Sequence, residues 1–290
     1  MRTRVSIILV VLIWSFLPAE AQTTKDAPDE NIINQGPKFM PGYFGCDVIN
    51  STNRTLSITV FIAQDESGAT GYNENNLVAP IDYLIELLAP IGISFEICEI
   101  REMENFQFNA LTAADELDDM TAMYYQPNTI NLYLLQSINF PGEGNINGFA
   151  FPPDGNLGVA GIENDDLDVI GITKASMNGE SKILAHELGH YFGLYNTFED
   201  QFGEEFVDGS NCETTGDLVC DTEADPSANG TQAADCNYLG PINQDTNGDF
   251  YVPPTNNLMS NYSLNCRCRF TPQQYNRMLE QYQFFRSNLW

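Results

Sequence analysis

Two histidines and a glutamate lie within a short segment that is also patterned for a helix. The segment reads His186-Glu187-Leu188-Gly189-His190-Tyr191-Phe192-Gly193-Leu194-Tyr195-Asn196. Apolar residues recur in and around it at helical spacing, which predicts a helix packed into the core. Residues four apart lie on one face of a helix, so His186 and His190 can direct two imidazoles at one metal ion. The segment therefore predicts a buried helix that carries two ligands of a metal site.

Three further positions in this segment bear on the chemistry. Glu187 lies beside the metal position, where its carboxylate can take a proton from a water molecule. Gly193 ends the helix, because glycine tolerates the left-handed turn there, and the chain then presents position 196 to the metal. Position 196 is asparagine, and its amide oxygen is a poorer zinc ligand than imidazole. Glu199 and Asp200 follow closely, so a carboxylate is the alternative third ligand.

The first 21 residues have the pattern of a secretory signal peptide. Arg2 and Arg4 precede an apolar run from Val5 to Leu17, and Ala19-Glu20-Ala21 offers a small-x-small cleavage site. The apolar run is too short to span a bilayer, and no later stretch is apolar enough. We therefore expect a secreted protein, extracellular or periplasmic, that is cleaved near Ala21 and has no integral membrane association.

The charge balance limits the classes of partner. The chain has 12 Lys and Arg residues against 40 Asp and Glu residues, a net charge of −28. Such an acidic balance argues against nucleic-acid binding, which needs a basic surface. It suits a soluble secreted protein that holds calcium on carboxylates, although a solvated acidic surface accounts for most of these charges.

Hydrophobic periodicity predicts a mixed sheet backed by helices. Strands are predicted at Leu56–Ile62, Ile93–Ile100 and Thr129–Leu135, and two short apolar runs lie at Gly148–Phe151 and Val169–Thr173. Helices are predicted at Pro80–Leu88, at the histidine segment, which begins at Ser181, and at Thr271–Asn288. Residues 199 to 256 are rich in Asp, Asn, Gly and Pro, and a loop region of this length is usually functional or held by disulfides and ions. Residues 22–45 lack periodicity and are expected to form a poorly ordered leading segment.

Several motifs follow one another in the C-terminal half. They are Ala185–Tyr195, Gly216-Asp217-Leu218-Val219-Cys220-Asp221-Thr222, Asn257-Leu258-Met259-Ser260, Cys266 and Phe270-Thr271-Pro272-Gln273-Gln274. In this order they resemble the pappalysin/cytophagalysin branch of the metzincin zinc proteases, over roughly residues 170 to 285. The resemblance implies an α+β, metzincin-like fold: a mixed twisted sheet with a backing helix, and an active-site helix above a loop-rich, disulfide-held C-terminal lobe. It also implies a catalytic domain over residues 46–290, with an upper lobe of about 46–193 and a lower lobe of about 194–290.

The resemblance assigns the ion and most of its ligands. Zn²⁺ would be bound by His186 and His190, with Asn196 at the position where the family has a third histidine. Glu187 would be the general base, and Met259 would form an apolar floor beneath the metal.

The resemblance also assigns residues away from the zinc. The family's catalytic tyrosine position becomes Asn261 when the chain is aligned without gaps, and the adjacent Tyr262 is the candidate for that role. Family members bind calcium in the lower lobe, and oxygens at suitable spacing are offered by Asp217, Asp221, Asp245, Asn247 and Asp249. A run such as Asp245–Asp249 is a hydrated turn as often as a calcium loop.

The seven cysteines lie in the exported part, where disulfides persist. Seven is odd, so at least one thiol is free or pairs elsewhere. Cys266 has the family's distance from the methionine, and we expect a Cys236–Cys266 pair, then Cys212–Cys220, with Cys268 as the odd thiol. Cys46 either caps the zinc as a thiolate or pairs with Cys98. We favour the Cys46–Cys98 disulfide, because both residues flank predicted strands of one sheet.

These observations predict a secreted zinc-dependent metalloendopeptidase that acts on protein or peptide substrates, expected to be a monomer. The alternative is a catalytically weak or inactive metzincin relative that acts as a secreted binding protein, because Asn196 and Asn261 depart from the family pattern. The presence of Glu187, His190 and Met259 favours the enzyme.

Overall fold

The computed structural model describes residues 50–142, 144–153, 168–226 and 235–289. The predicted signal peptide, the leading segment and Cys46 lie outside these ranges. The helices are α1 (Val78–Leu88), α2 (Ala114–Met123), α3 (Lys182–Tyr191) and α4 (Pro272–Phe285), and short 3-10 turns occupy Glu74–Leu77, Ala89–Ile91 and Phe106–Asn109. Among the described residues, none of these helices is long and apolar enough to cross a bilayer.

Eight strands within the described ranges form two sheets. They are β1 (Arg54–Ala63), β2 (Ile93–Met103), β3 (Ala110–Leu111), β4 (Ile130–Leu135), β5 (Ser137–Phe140), β6 (Gly144–Ile146), β7 (Gly148–Ala150) and β8 (Val169–Thr173). The main sheet has the order β2-β1-β4-β8-β7, and the smaller one has the order β3-β5-β6. Strands β2, β1, β4 and β8 are parallel, whereas β7 runs antiparallel to β8. The mixed sheet is therefore confirmed, with β7 at one edge.

Alternate residues of the central strands face two cores, as the period of a strand requires. In β1, Leu56, Ile58 and Val60 belong to the core that includes α1, α3 and α4. Phe61 and Ala63 belong to the core on the other side, which includes α2. The helix that carries the histidines therefore packs on the same face of the sheet as α1 and α4.

Helix α2 has no counterpart among the sequence predictions. Its apolar contribution is small, because Leu117 and Met120 are its buried apolar side chains. A local cap stabilises its start: the Glu116 carboxylate accepts hydrogen bonds from the backbone N–H of Thr112 at 2.6 Å and of Ala113 at 3.2 Å. Its acid-rich sequence hides the helix from an analysis based on apolar periodicity.

The described part of residues 194–271 contains no helix or extended strand pairing, only two isolated bridges, Gln244 with Phe250 and Asn257 with Arg269. The two disulfides Cys212–Cys220 and Cys236–Cys266 staple this region, and both predictions are confirmed. Cys268 is a free thiol, also as predicted.

The predicted Cys46–Cys98 disulfide is not formed, because Cys98 is a free thiol. Cys98 is the extra residue of a bulge, since Ile58 pairs with Ile97 whereas Thr59 pairs with Glu99. Its thiol donates to the carbonyl of Ile58 at 3.3 Å. The bulge thus turns the thiol toward the neighbouring strand of its own sheet.

Candidate metal centre

Helix α3 is short and has a defined start and end. Ser181 caps its first turn through a side-chain hydrogen bond, and the helix packs against β7 and β8. After the helix, Gly193 adopts a φ of +80°. The N–H of Gly193 bonds to the carbonyl of His190 at 2.8 Å, and that of Leu194 bonds to Gly189 at 2.9 Å. This pair of bonds is a Schellman motif, which reverses the chain and returns the following residues toward the histidines.

The two imidazoles converge on one point. Their Nε2 atoms are 3.2 Å apart, and the rings are perpendicular. The other ring nitrogen of each histidine bonds to a backbone carbonyl: His186 Nδ1 to Leu258 at 2.7 Å, and His190 Nδ1 to Leu194 at 2.8 Å. Because a carbonyl only accepts, each Nδ1 is the donor and each Nε2 carries a lone pair.

The donor set of this pair fits zinc. Two nitrogens bound to one tetrahedral zinc at about 2.0–2.1 Å lie about 3.3 Å apart, close to the 3.2 Å found between His186 and His190. Burial holds the pKa of His186 well below its usual range, an effect to which His190 adds, and burial also lowers the pKa of His190. Both rings are therefore neutral near pH 7, the form in which histidine binds metals.

Asn196 lies at the same place. Its side chain is hydrogen-bonded to His190, so the turn at Gly193 does bring position 196 back to the imidazole pair. Glu199, the alternative donor, is used locally, since its carboxylate accepts from the backbone N–H of Asp200 and of Gln201, each at 3.1 Å.

Glu187 is buried beside the histidines. A Cβ atom added to Gly148 of strand β7 would lie 2.9 Å from Glu187 Cγ and 3.1 Å from its Oε1, so only glycine lets the strand approach this closely. Burial raises the pKa of Glu187 to about 8, against the opposing charge of Arg267. A divalent cation on the histidines lowers such a pKa again by its own charge.

Met259 lies directly beneath helix α3. A Cβ atom added to Gly189 would be 2.3 Å from the Met259 sulfur, so the glycine makes room for the methionine. Asn257 fixes the turn, because its side chain accepts from the N–H of Met259 at 2.8 Å and also donates to Gln274 of α4 at 2.8 Å. Met259 itself is fully buried. Met259 therefore packs against the helix that carries both histidines, and its role as a floor beneath the metal stays a prediction.

Arg267 is a residue near the site that sequence reasoning missed. Its guanidinium is buried, donates to the carbonyl of Ser260 at 2.8 Å, and interacts electrostatically with Glu187. Its own carbonyl accepts from Lys182 at the start of α3 at 2.8 Å. Arg267 thus joins the turn after Met259 to the histidine helix. An arginine between two cysteines reads as a surface residue, so the sequence gives no signal for this role.

Tyr262 is bonded to a carboxylate in this structure. The buried phenol donates to Asp225 Oδ1 at 2.8 Å, and the hydroxyl of Thr197 donates to Asp225 Oδ2 at 2.8 Å. Burial and the neighbouring Asp225 raise the pKa of Tyr262 above its ordinary value. Thr197 follows Asn196, so Asp225 connects the predicted catalytic tyrosine to the third-ligand position. Asp225 is a second residue that sequence reasoning missed.

Two of the predicted calcium positions are used by hydrogen bonds within the protein. Asp221 accepts from the Thr271 hydroxyl at 2.5 Å and from the Gln273 N–H at 2.9 Å, so it caps the start of α4. Burial opposes the ionisation of Asp245, but backbone hydrogen bonds from Val207, Asp249, Asn247 and Gly248 outweigh it and hold its pKa below the ordinary value. Within the described residues, no group of three or more His, Cys, Asp or Glu side chains is close enough to hold a metal ion. The run Asp245–Asp249, including Asn247, is thus a turn held by hydrogen bonds, and calcium binding by this run stays a prediction.

Asp217 differs from these residues, and it has a buried neighbour. One of its oxygens accepts from Val219 N–H and from the Thr222 hydroxyl, whereas Oδ2 has no partner among the described residues. Glu205 Oε2 is likewise buried without a partner, and the two carboxylates repel each other electrostatically. Burial raises the pKa of Asp217 to about 7 and that of Glu205 to about 8. Glu205 gave no signal in the sequence.

A buried ion pair joins α4 to the end of the histidine helix. Arg286 pairs with Asp168, donates to the carbonyl of Tyr191 at 3.0 Å, and donates to the carbonyl of Phe151, just after β7, at 2.7 Å. The Tyr191 hydroxyl also donates to Asp168 at 2.8 Å. This network holds the edge strand and the histidine helix in one unit.

The fold and the site together define a zinc metallopeptidase of the metzincin class. The fold is similar to that of mature mirolysin from Tannerella forsythia, solved in complex with a cleaved peptide, with a TM-score of 0.56 at 15% identity over 82% of this chain and 97% of that chain. The model of the peptidase family M43, described as pregnancy-associated plasma protein-A, matches residues 116–283. That match spans more than half of the chain, and the chain belongs to this family.

Curated relatives agree with this assignment. An extracellular metalloprotease of Pyricularia oryzae is 29% identical over 238 residues, 78% of this chain and 74% of the relative. An extracellular metalloprotease of Colletotrichum graminicola is 28% identical over 233 residues, 77% of this chain and 73% of the relative. Family membership implies zinc as the metal and proteins as the substrates.

Proposed function

We propose that the chain is a secreted, zinc-dependent endopeptidase in which Glu187 is the general base. The observation that carries the proposal is the convergence of the His186 and His190 Nε2 atoms, 3.2 Å apart, next to the buried Glu187. Convergent neutral imidazoles with a neighbouring carboxylate are the donor set and the base that hydrolytic zinc sites need.

The residues of the chain divide the reaction among them. His186, His190 and Asn196 would hold a zinc ion, which would supply Lewis-acid chemistry toward a water molecule and the peptide carbonyl. Glu187 accepts a proton from that water on a carboxylate oxygen and delivers it to the nitrogen of the leaving amine. Both protons of the water are thereby accounted for, one on the amine and one on the new carboxyl group.

The edge strand β7 is the proposed support for the substrate backbone. It pairs with β8 on one side only in the described structure, and a peptide can add to a free sheet edge through main-chain hydrogen bonds. Gly148 lies in this strand against Glu187, so a peptide along β7 passes the general base.

Tyr262 is proposed to position its neighbours in the state described here. The phenol donates to Asp225, and the hydroxyl of Thr197 donates to the same carboxylate. These two hydrogen bonds hold Thr197, the residue that follows Asn196. A direct role as oxyanion donor requires the phenol to leave Asp225. The two roles are separated by Tyr262→Phe: loss of zinc affinity indicates positioning, and loss of turnover at unchanged affinity indicates a donor.

We also propose a calcium ion between Glu205 and Asp217. Each carboxylate has one buried oxygen without a partner, and such an atom is costly unless a cation or water satisfies it. Calcium prefers carboxylate and carbonyl oxygens, and a cation there offsets the repulsion of the two buried carboxylates.

Secretion and organisation complete the proposal. The signal pattern of residues 1–21 and the relatives named extracellular metalloproteases support export with cleavage near Ala21. Residues 46–290 are proposed as the catalytic domain, with lobes of about 46–193 and 194–290, acting as a monomer.

The decisive test compares the wild type with Glu187→Ala after refolding with zinc. We expect about one zinc ion per chain in both proteins, and casein hydrolysis by the wild type alone, because no other residue of the motif can accept the proton. Glu187→Gln is the matched control, since it keeps the volume and removes the charge. Activity that survives both changes would refute the role of Glu187.

A second candidate function is supported by Asn196, the departure at the third ligand. In that case the chain keeps the fold and binds a secreted protein partner without hydrolysis. A wild type that binds no zinc at millimolar metal would favour this candidate and exclude the enzyme.

A further inference from the structure

The lower lobe contains a small hairpin with an exposed apolar face. Residues 242–252 turn back at Asp245–Asp249, and Gln244 is bridged to Phe250. The backbone N–H of Tyr251 donates to the carbonyl of Asn243 at 2.9 Å. Side chains alternate between the faces of paired strands, so this register puts Ile242 and Val252 on the face of Phe250.

Exposure agrees with this register. The fractions exposed are 45% for Ile242, 68% for Phe250 and 75% for Val252. Tyr251, on the opposite face, is buried, and its hydroxyl donates to Glu204 at 3.0 Å. The apolar face, defined as Ile242, Phe250 and Val252, is thus presented to solvent by a turn that hydrogen bonds hold in shape. A contiguous exposed apolar surface on a small protein commonly marks a binding site.

A series of contacts connects the hairpin to the metal centre. The Tyr238 hydroxyl donates to the carbonyl of Ile242 at 2.9 Å, at the base of the hairpin. The ring of Tyr238 packs edge-on against Tyr262, with centroids 6.1 Å apart. Tyr262 bonds to Asp225, which also receives the hydroxyl of Thr197, one residue after Asn196. Four successive contacts therefore link the hairpin to Thr197, the neighbour of the third-ligand position.

Charge decides which occupant fits this surface. No lysine or arginine occurs between Lys182 and Arg267. Asp249 lies in the turn of the hairpin, and Glu204 lies behind the apolar face, where it accepts the backbone N–H of Thr246 at 3.2 Å. These carboxylates and the net charge of −28 repel anionic lipid, and they repel a second copy of the same chain. A peptide segment with large apolar side chains and no carboxylates is not repelled by these charges.

We propose that the apolar face binds a segment of the substrate that lies beyond the residues next to the metal centre and carries aliphatic or aromatic side chains. The proposal rests on the proposed function, because it makes the hairpin a selector of substrates for the same metal centre. Burial of such a side chain against Phe250 and Val252 strengthens binding by about tenfold after the cost of ordering the peptide.

The test uses matched peptides and the full chain. A cleavage site is first mapped in casein, and a short peptide spanning that site is made. Eight further residues, either of Leu and Phe or of Gly and Ser, are then added at the N-terminus or at the C-terminus of this peptide. We expect kcat/KM to be about tenfold higher for the Leu/Phe extension than for the Gly/Ser extension on one side. The double variant Phe250→Ser/Val252→Ser should lose this preference and cleave the short peptide as the wild type does.

The control variant is Phe284→Ser/Phe285→Ser, which removes two exposed aromatic side chains from the end of α4. It should keep the preference. Equal cleavage of both extensions by the wild type, or a preference that the hairpin variant retains, would overturn the proposal. Dimerisation in the ultracentrifuge that the hairpin variant abolishes would assign the face to a second copy and also overturn it.

Binding separates this proposal from the proposed function. Fluorescence anisotropy with the labelled Leu/Phe and Gly/Ser octapeptides is measured on Glu187→Ala, the hairpin double variant and the wild type. Selective binding of the Leu/Phe peptide that depends on Phe250 and Val252, without hydrolysis by the wild type, supports the surface and refutes the enzyme. Hydrolysis without selective binding refutes the surface alone.

Discussion

The contact between Gly189 and Met259 offers a quantitative test of how the histidine helix is held. A Cβ atom at position 189 would lie 2.3 Å from the Met259 sulfur, whereas unstrained contacts are about 3.5–4.0 Å. The methionine must therefore move by more than about 1 Å in Gly189→Ala. Overpacking costs about 1–3 kcal/mol, and alanine returns about 1 kcal/mol through helix propensity. We expect a net loss of about 0–2 kcal/mol in the free energy of unfolding.

The same substitution should change sign when the methionine is truncated. Met259→Ala alone loses about 2–5 kcal/mol, because it leaves a cavity beneath the helix. In that background the alanine Cβ no longer clashes with the methionine sulfur, so the overpacking cost is absent. Gly189→Ala should then raise the free energy of unfolding by about 1 kcal/mol. The coupling energy of the cycle then equals the overpacking cost, about 1–3 kcal/mol.

Urea unfolding of the four oxidised, metal-free proteins measures the cycle, and zinc affinity is measured in parallel. Leu258, whose carbonyl orients His186, is adjacent to Met259, so Gly189→Ala should also weaken zinc binding. An effect of Gly189→Ala that is equal in both backgrounds, within about 0.5 kcal/mol, would refute the reasoning.

Three further outcomes are expected. Asn196→His should tighten zinc binding and raise activity, because imidazole is the better zinc donor. Competition with a chelator measures the zinc affinity, and an unchanged affinity would mean that another residue is the third ligand. Asp168→Asn should lower the free energy of unfolding by about 3–5 kcal/mol, because it leaves the buried Arg286 without its counter-charge. Urea unfolding measures this change, and a decrease of less than about 1 kcal/mol would contradict the prediction. In metal-free buffer, the thermal midpoint should fall as pH rises from about 6.5, the ordinary pKa of histidine, to about 8. The reason is that the raised pKa values of Glu187 (about 8), Glu205 (about 8) and Asp217 (about 7) make the folded chain hold protons that the unfolded chain releases. Calcium should reduce the part of this fall that comes from Glu205 and Asp217, and a midpoint that rises with pH in this window without metal would oppose the prediction.

The parts of the site that depend on spacing within one helix were predictable. His186, Glu187 and His190 are placed by the period of α3, and Gly193 supplies the left-handed turn that the sequence indicated. The backbone carbonyls that orient the imidazoles carry no sequence signal, because any residue has a carbonyl. The carbonyl of Leu258 is brought to the site by tertiary packing alone.

The failures of the sequence predictions have local causes. Cys98 lies in a bulge, and one extra residue in a strand redirects a side chain without any change in composition. Asp245 accepts hydrogen bonds from the backbone amides of its own turn, and its role as a calcium ligand stays a prediction. In both places the path of the backbone, which composition does not show, decides what the side chain contacts.

The support of the imidazole pair bears on how the metal centre depends on position 196. His190 is oriented by the carbonyl of Leu194, which the helix-ending turn provides, and His186 by the carbonyl of Leu258, which the turn above α4 provides. Both supports are backbone carbonyls, which stay in place when the side chain at position 196 changes, and Asn196 adds a separate side-chain hydrogen bond to His190. Position 196 then affects the strength of metal binding more than the geometry of the pair. A single Asn196→His change is therefore expected to act on affinity directly, with no rearrangement of the helix.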